Sequence, residues 1–328
     1  MRLAALVDSP DHVCCRYRLR AFEPILNAHG HTITYVTTAS APARRMWGFR
    51  QLREFDAVIL QRRLPSKAET WLLRRYAKRL IFDLDDAVWR RDSFSGKGFE
   101  DRKRAGRFRY LMSRVDAVVA GNAVLAGGCA EANAPSRVVI PTCVDVENYP
   151  SSAHSGPATQ LVWIGSSSTL KGIEAMRPLW EQLGRELPDL AMKVICDRFP
   201  QFERLRVVGV PWREATERAE LASADIGVSW IPDDPWSRGK CGLKVLQSMA
   251  AGLPVVANRV GVHPEMIEPG ETGFLADTPE EWTTAIRTLV ENPPLRRVMG
   301  AKAREVVRRR YSVASGAAKW LELLGSPR

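Results

Sequence analysis

Short runs of Val, Ile and Leu alternate with longer helical patterns in both halves of this 328-residue chain, and this alternation restricts the fold most. Strands separated by helices pair in parallel, and a parallel sheet carries helices on both faces. The predicted strands are residues 3–7, 32–36, 57–60, 80–82, 117–120 and 137–140 in the first half, and 161–164, 192–196, 207–208, 226–230 and 255–257 in the second. We therefore predict an α/β protein of two Rossmann-like, doubly wound domains.

The segment 149–159 separates the two series of strands. It contains two prolines, three serines and one glycine and has no apolar periodicity, which is typical of a linker. We place a first domain at residues 1–150 and a second at 151–310. Ligands of doubly wound domains bind beyond the carboxyl ends of the strands, so we expect the ligands in a central cleft that the two domains face.

Composition limits the compartment and the partners. The apolar run 3–7 ends at Asp8, too early for a signal peptide or a membrane span, so we expect a cytoplasmic protein. The six cysteines and five histidines show no metal-ligand spacing, so we expect no metal site. The net charge of +11 attracts anions. Solvated helix faces and an anionic membrane surface both explain the excess arginines, and no motif indicates nucleic-acid binding.

The most informative stretch is KCGLKVLQSMAAGLPVVA at residues 240–257, followed by EPGETGF at 268–274. A loop containing Gly242 opens a helix whose free N–H groups favour a diphosphate. Lys240 and Lys244, spaced i and i+4, add positive charge there, although a solvated helix edge explains them equally well. The stretch resembles the donor-binding segment of retaining glycosyltransferases with the GT-B fold, the large family four (group 1), which includes enzymes of bacterial saccharide biosynthesis.

This resemblance implies a nucleoside diphosphate sugar as substrate, retention of configuration, and no cofactor or catalytic metal. It assigns acceptor binding to the first domain and donor binding to the second. It also implies that a last helix, within 311–328, packs back toward the first domain.

The sequence departs from the family at two donor-site carboxylates. The two glutamates of the family's Glu-x7-Glu motif fall on Gly239 and Gln247. The amide oxygen of Gln247 still accepts hydrogen bonds, as from a ribose, but it carries no charge. Either sugar recognition is rebuilt from other groups, or the donor site is degenerate.

The loop at residues 162–172, VWIGSSSTLKG, resembles the family's G-R-x4-K-G loop. Lys171 occupies the lysine position, which implies that it stabilises the charge of the leaving diphosphate. Ser166 stands in the arginine position, so half of that cationic pair is missing. The backbone at Gly165 and the hydroxyls of Ser166 and Ser167 are expected to cradle phosphate oxygens.

Carboxylates and arginines follow two strands of the first domain. Asp83, Asp85 and Asp86 come directly after a hydrophobic strand, where acceptor binding, magnesium chelation and helix capping are all consistent with the residues. We favour acceptor binding, with Asp86 at the reaction centre. Arg16 and Arg18, in a segment that resembles the family's S-x-R-Y-R, are predicted to face the acceptor. A salt-bridged helix start is the alternative.

A turn near the second motif adds two donor-site candidates. His263 and Glu265 lie in GVHPE, which resembles the family's G-G-x-x-E turn near the sugar. We predict donor contacts for both residues, and a solvated turn histidine is the alternative for His263.

These features together predict a glycosyltransferase of the hexosyltransferase type. Lys171, Lys240 and Asp86 are the predicted catalytic residues, and the acceptor is a hydroxyl of a saccharide or lipid-linked saccharide. The missing carboxylates leave open a non-catalytic nucleotide-sugar-binding scaffold, and an epimerase or hydrolase on the same fold is a further alternative. The basic surface predicts peripheral contact with the inner face of an anionic membrane.

Overall fold

A computed structural model describes residues 1–37, 48–154 and 158–325. These residues form two compact units. Unit 1 comprises the described residues within Met1–Cys143, Asp233–Cys241 and Val313–Arg328, and unit 2 those within Val144–Pro232 and Gly242–Ser312. Each unit contains one six-stranded parallel sheet, so the predicted α/β class with two doubly wound domains is confirmed.

The sheet of unit 1 has the strand order β2-β1-β3-β4-β5-β6. The strands are β1 Arg2–Val7, β2 Thr32–Thr37, β3 Ala57–Gln61, β4 Leu80–Leu84, β5 Ala117–Ala120 and β6 Arg137–Val139. Its helices are Val13–Arg18, Glu23–Ala28, Lys67–Tyr76, Arg102–Met112, Ala123–Glu131 and Val313–Gly325. The strand order reverses between β1 and β3, so the loops that follow these two strands flank the topological switch point, where doubly wound sheets bind ligands.

The sheet of unit 2 has the order β12-β11-β10-β7-β8-β9. The strands are β7 Gln160–Ile164, β8 Ala191–Cys196, β9 Arg206–Pro211, β10 Ile226–Ser229, β11 Val255–Ala257 and β12 Gly273–Leu275. Its helices are Ser167–Ala175, Arg177–Glu186, Glu217–Ala222, Leu243–Ala250, His263–Met266, Pro279–Glu291 and Pro293–Arg310. The switch point lies between β7 and β10, so the loops after these strands define the expected ligand edge.

Helices cover both faces of each sheet because the strands are apolar on both sides. In unit 1, alternate strand residues such as Val58 and Phe82 pack into one core and Ile59 and Ile81 into the other. In unit 2, Trp180 and Trp282 are buried in the core with ring centroids 6.1 Å apart. Burial of both faces explains why the strands appear in the sequence as continuous apolar runs.

Two details differ from the sequence-based expectation, and one prediction falls partly outside the described residues. The short strand β12 was not predicted, because three residues after a glycine turn carry little periodicity. The predicted single helix around 173–187 is two helices, broken at Met176, because Pro178 cannot continue the backbone hydrogen bonds of the preceding helix. The predicted linker 149–159 includes residues 155–157, which lie outside the described residues.

Unit 1 includes two segments from the second half of the chain. Asp233–Cys241 belongs to unit 1, although the sequence-based boundaries place it in the second domain. The helix Val313–Gly325 also belongs to unit 1, where Trp320 shares a core with Leu3 and Phe22. Among the described helices, none combines the length and apolar character needed to cross a membrane.

Candidate functional site

The carboxyl edge of the unit 1 sheet contains a buried ion pair. Arg18 and Asp83 are 1% and 0% exposed, with Arg18 Nη2 2.5 Å from Asp83 Oδ1. Gln61 Nε2 donates to the other carboxylate oxygen at 3.1 Å, and Arg18 Nη1 donates to the carbonyl of Ile140. Burial alone would lower the pKa of Arg18, but the Asp83 charge outweighs it and raises that pKa. The pair ties the first helix to β4.

This burial corrects the expectation that both arginines and Asp83 face an acceptor. Arg16 is also buried, with its guanidinium carbon 5.3 Å from the centroid of the Tyr17 ring. Side chains this deeply buried are not available as surface contacts. For Arg18, the structure agrees with the alternative of a salt-bridged helix start.

Asp85 and Asp86 are only partly buried, and a third residue organises them. Arg62, directly after β3, places Nε 3.2 Å from Asp85 Oδ1 and Nη2 2.6 Å from Asp86 Oδ2. Its φ of 56° lies in the left-handed region, which costs free energy in a residue other than glycine. The Arg62 backbone N–H donates to the Asp83 carbonyl at 2.8 Å, which secures this conformation. Arg62 thus holds two carboxylates, which follow β4, next to the loop after β3 that flanks the switch point of unit 1.

Lys240 joins this cluster through the segment Asp233–Cys241. The Lys240 Nζ atom lies 3.9 Å from Asp86 Oδ1 and 5.7 Å from the centroid of the Trp236 ring. Asn122 Nδ2 donates to the carbonyls of Gly239 and Lys240 at 3.0 and 3.1 Å. The amide of one buried side chain therefore fixes the backbone that carries Lys240.

Gly239 lies in a tightly packed site. A Cβ atom there would lie 3.1 Å from both Ala87 Cβ and Leu125 Cδ2, closer than side chains normally approach. At the position that aligns with the first glutamate of the family motif, a side chain would therefore require Ala87 and Leu125 to shift by a few tenths of an ångström. Among the described residues, no group of three or more His, Cys, Asp or Glu side chains has the geometry of a metal site.

In unit 2, the polar loop after β7 leads into the helix Ser167–Ala175. The Ser166 and Ser168 hydroxyls are 2.8 Å apart, and Lys171 is exposed on the same helix. Asp197, which follows β8, accepts a hydrogen bond from the Ser167 N–H at 2.7 Å. Hydrogen bonds from Ser167 lower the pKa of Asp197 to about 2. One backbone N–H group at the start of this helix therefore already donates to a carboxylate of the protein.

Lys244 reaches the same loop from a different helix. Its Nζ atom lies 3.2 Å from Thr169 Oγ1 and 4.9 Å from the centroid of the Trp163 ring. Gly165 makes this packing feasible, because a Cβ atom there would lie 2.6 Å from the Trp163 ring and 2.8 Å from Thr169 Oγ1. The structure therefore brings Lys244 to the segment in which Ser166 replaces the family arginine.

The helix Leu243–Ala250 begins where the sequence predicts, but only one of the two lysines lies on it. Gly242 has a φ of 64° and is the N-cap residue, a conformation that favours glycine. Lys240 precedes the helix and belongs to unit 1, so the two lysines do not form the expected i, i+4 pair. Gln247 is buried on this helix.

His263 is buried rather than solvated. It is 2% exposed, with Nδ1 2.9 Å from the Asn258 carbonyl and Nε2 3.3 Å from the Ser229 hydroxyl. Burial lowers the pKa of His263 to about 4, and the Lys244 charge acts in the same direction. The neighbouring Glu265 is exposed, and its carbonyl accepts a hydrogen bond from Arg310 at 2.9 Å. His263 therefore supports the turn from inside, whereas the Glu265 side chain is available at the surface.

Sequence reasoning did not select four residues that organise these two edges. Each lies within two residues of a strand end, which is the signal that the sequence offered. These residues are Arg62, Asn122, Trp163 and Asp197. Thr169, in contrast, belongs to the run of hydroxyls from Ser166 to Thr169 that the sequence predicts as a phosphate cradle.

Comparison with known proteins agrees with this architecture. Residues 158–292 match the family model "Glycosyl transferases group 1". A D-inositol 3-phosphate glycosyltransferase from Corynebacterium diphtheriae is 30% identical over 161 residues, which cover 44% of this chain and 37% of that enzyme. The chain spans less than half the length of this and other curated relatives that it matches.

Two solved structures are similar over essentially the whole chain. Sucrose-phosphate synthase from Thermosynechococcus elongatus has a TM-score of 0.76 at 16% identity, covering 99% of this chain and 98% of that chain. Anabaena Alr3699/HepE in complex with UDP-glucose has a TM-score of 0.71 at 17% identity, covering 100% of both chains. At these identities the likeness concerns the fold. The chain therefore has the predicted GT-B fold, and its residues 158–292 are similar to the glycosyl transferases of group 1.

Proposed function

We propose that this chain is a glycosyltransferase that moves a sugar from a nucleoside diphosphate sugar to a hydroxyl of a saccharide or lipid-linked acceptor, with retention. Unit 2 binds the donor, and unit 1 provides the acceptor-side groups. Support comes from the matching family model and from the UDP-glucose complex of a protein with the same fold. The reaction takes place in the cytoplasm, without a cofactor or a metal ion.

The observation that carries the proposal is the contact between Lys244 and Thr169. In this proposal, Lys244 supplies the positive charge that is missing from the loop after β7, where Ser166 stands in the arginine position. Lys171 supplies the second positive charge. Together they stabilise the negative charge on the leaving diphosphate. Because Asp197 occupies the Ser167 N–H, we assign the phosphate oxygens to the two ammonium groups and to the hydroxyls of the loop.

On the acceptor side, the proposal assigns Asp86 to the reacting hydroxyl. Its carboxylate lies between the cations of Arg62 and Lys240. A carboxylate accepts hydrogen bonds from a sugar hydroxyl and orients it. Lys240 is assigned an electrostatic role beside it.

A thermal-shift panel tests the donor site. UDP, GDP, ADP and CMP, each with its sugar conjugates, are added to the wild type, Lys171→Ala and Lys244→Ala. We expect one nucleotide to stabilise the wild type, and each variant to bind it at least about tenfold more weakly, a loss of about 1.4 kcal/mol. Lys302→Ala is the matched control, because this exposed lysine of unit 2 pairs with Glu271. Absence of a shift with every nucleotide contradicts the donor site.

A non-catalytic nucleotide-sugar-binding protein is the second candidate, favoured by Gly239 and Gln247 in place of the two glutamates. Its affinity for the donor would depend on Lys171 and Lys244 in the same way, but it would release no nucleoside diphosphate. Turnover therefore separates the two candidates.

A further inference from the structure

Two neighbouring helices of unit 1 carry an exposed surface that the proposed reaction does not use. Lys67–Tyr76 and Arg102–Met112 are in contact, and Leu73, Phe108 and Leu111 on their inner sides pack in the core. Ser66 and Glu69 form a capping box at the first helix, and Asp101 caps the second. The outer faces of both helices are therefore presented on a rigid support.

The outer face combines aromatic rings with cations. Trp71 is 56% exposed and lies one helical turn from both Lys67 and Arg75. The Lys67 ammonium is 5.8 Å from the centroid of the Tyr110 ring on the second helix, and the Arg114 guanidinium carbon is 5.2 Å from the same ring. We call these five residues the basic aromatic face.

Nearby acids pair with only some of the cations of this region, such as Arg74 and Arg104. The helix Arg102–Met112 contains five basic residues and no acidic one. Glu69 is engaged in the capping box and near Arg63, while Asp116 pairs with Arg74. On the described residues of this region, the bases without an ion pair to a carboxylate include Lys67, Arg75, Arg102, Lys103, Arg109 and Arg114.

We propose that the basic aromatic face binds the surface of a bilayer that contains anionic phospholipids. Indole rings prefer the headgroup layer, where one edge of the ring contacts apolar chains and the N–H meets polar groups. Lysine and arginine beside the ring meet the lipid phosphates. A single-stranded polynucleotide instead favours successive exposed rings for base stacking. Here Trp71 is the one strongly exposed ring of the two helices, and Tyr110 is half-buried.

Vesicle sedimentation tests the proposal independently of any donor or acceptor. The full chain is mixed with vesicles of 70% phosphatidylcholine and 30% phosphatidylglycerol, or of phosphatidylcholine alone, in low and high salt. We expect binding only to the anionic vesicles and only in low salt, because salt screens the charges. Arg75→Gln/Arg114→Gln should reduce the partition coefficient at least tenfold, and Trp71→Ser severalfold.

The control variant carries the same loss of charge on unit 2. Arg297→Gln/Arg309→Gln removes two exposed arginines from the helix Pro293–Arg310 and should bind within twofold of the wild type. An equal loss in this control would overturn the proposal, because net charge and not this face would then drive binding. Failure to bind anionic vesicles would also overturn it, as would face-dependent binding of a single-stranded DNA 20-mer or face-dependent dimerisation without vesicle binding. Loss of glycosyl transfer in other assays does not affect these outcomes.

Discussion

At the scale of single residues, the buried imidazole of His263 has a defined protonation state. The Asn258 carbonyl only accepts hydrogen bonds, so Nδ1 of His263 must carry a proton and donate it. Because burial lowers the pKa of His263 to about 4, the ring is neutral and Nε2 is free to accept from the Ser229 hydroxyl. This chain of hydrogen bonds fixes the end of β10 and the turn at residues 258–263. His263 thus supports this edge of the unit 2 sheet from inside.

The depressed pKa of His263 predicts acid sensitivity. In the unfolded chain the imidazole has a pKa of 6.5, but in the folded protein its pKa is about 4. Between these values the unfolded state binds more protons, so the free energy of unfolding falls as the pH falls from 7 toward 4. We expect this residue to account for a loss of about 2 kcal/mol at pH 4.5. Urea unfolding at pH 7 and pH 4.5, followed by tryptophan fluorescence, measures it.

Variants separate this contribution from the titration of other groups. His263→Gln should be destabilised at pH 7 but lose about 2 kcal/mol less than the wild type on acidification. His29→Gln, at an exposed position, should show the pH dependence of the wild type. An unchanged pH dependence in His263→Gln would mean that the buried neutral ring is not the acid-sensitive group.

At the scale of elements, Asn122 links a helix start to a segment far along the chain. Its Oδ1 accepts from the Leu125 N–H and caps the helix Ala123–Glu131, while its Nδ2 donates to the carbonyls of Gly239 and Lys240. Asn122 is buried, so neither carbonyl would find water as a substitute partner. The residue therefore positions Lys240 beside Asp86.

Two substitutions at Asn122 separate its two roles. Asn122→Ser keeps a cap acceptor and removes the amide donor, so we expect a loss of about 1 to 2 kcal/mol in the free energy of unfolding. Asn122→Ala should lose about 1 kcal/mol more, because the cap is also removed. Urea unfolding measures both.

The matched control is Asn292→Ala, which removes the cap of the helix Pro293–Arg310. It should cost about 1 kcal/mol. If Asn122→Ser is as stable as the wild type, the bonds to Gly239 and Lys240 do not hold the segment. In the proposed enzyme, Asn122→Ser should also lower kcat, with no further loss when combined with Lys240→Ala.

At the scale of the whole molecule, each unit presents its own sheet edge with its own charged cluster. In unit 1, Arg62 flanks the switch point and contacts Asp85 and Asp86, which follow β4. In unit 2, Lys244 lies near the switch point. The proposed roles require cations of the protein itself to stabilise the diphosphate, with no metal ion between them.

This requirement predicts the behaviour of turnover. With the nucleotide sugar identified in the thermal-shift panel, release of nucleoside diphosphate should rise at least tenfold when methyl glycosides or polyprenyl diphosphate sugars are added. EDTA should change the rate by less than twofold. Release that does not depend on any acceptor would favour a hydrolase, and abolition by EDTA with rescue by Mg²⁺ would contradict the metal-independent proposal.

The sequence alone was sufficient for the architecture, because strands and helices are encoded by local periodicity. Apolar runs predicted eleven of the twelve described strands. The glycine-containing loop before residue 243 predicted the start of a helix, and in the structure Gly242 has a positive φ at that start. Motif spacing was also sufficient for the group 1 resemblance over residues 158–292. The apolar runs and the motif residues each lie within a short segment of the chain, so they can be recognised without knowledge of tertiary contacts.

Only the tertiary structure decided which charged side chains are paired in the core and which are accessible at a sheet edge. Arg18 and Asp83 are 65 residues apart and pair in the core, while Lys244 and Thr169 are 75 residues apart and meet at one loop. The segment Asp233–Cys241 joins unit 1 because Asn122 and a tight packing site at Gly239 hold it there. Such contacts depend on the order of the strands in each sheet and on which side chains become buried. The spacing of residues along the sequence determines neither of these.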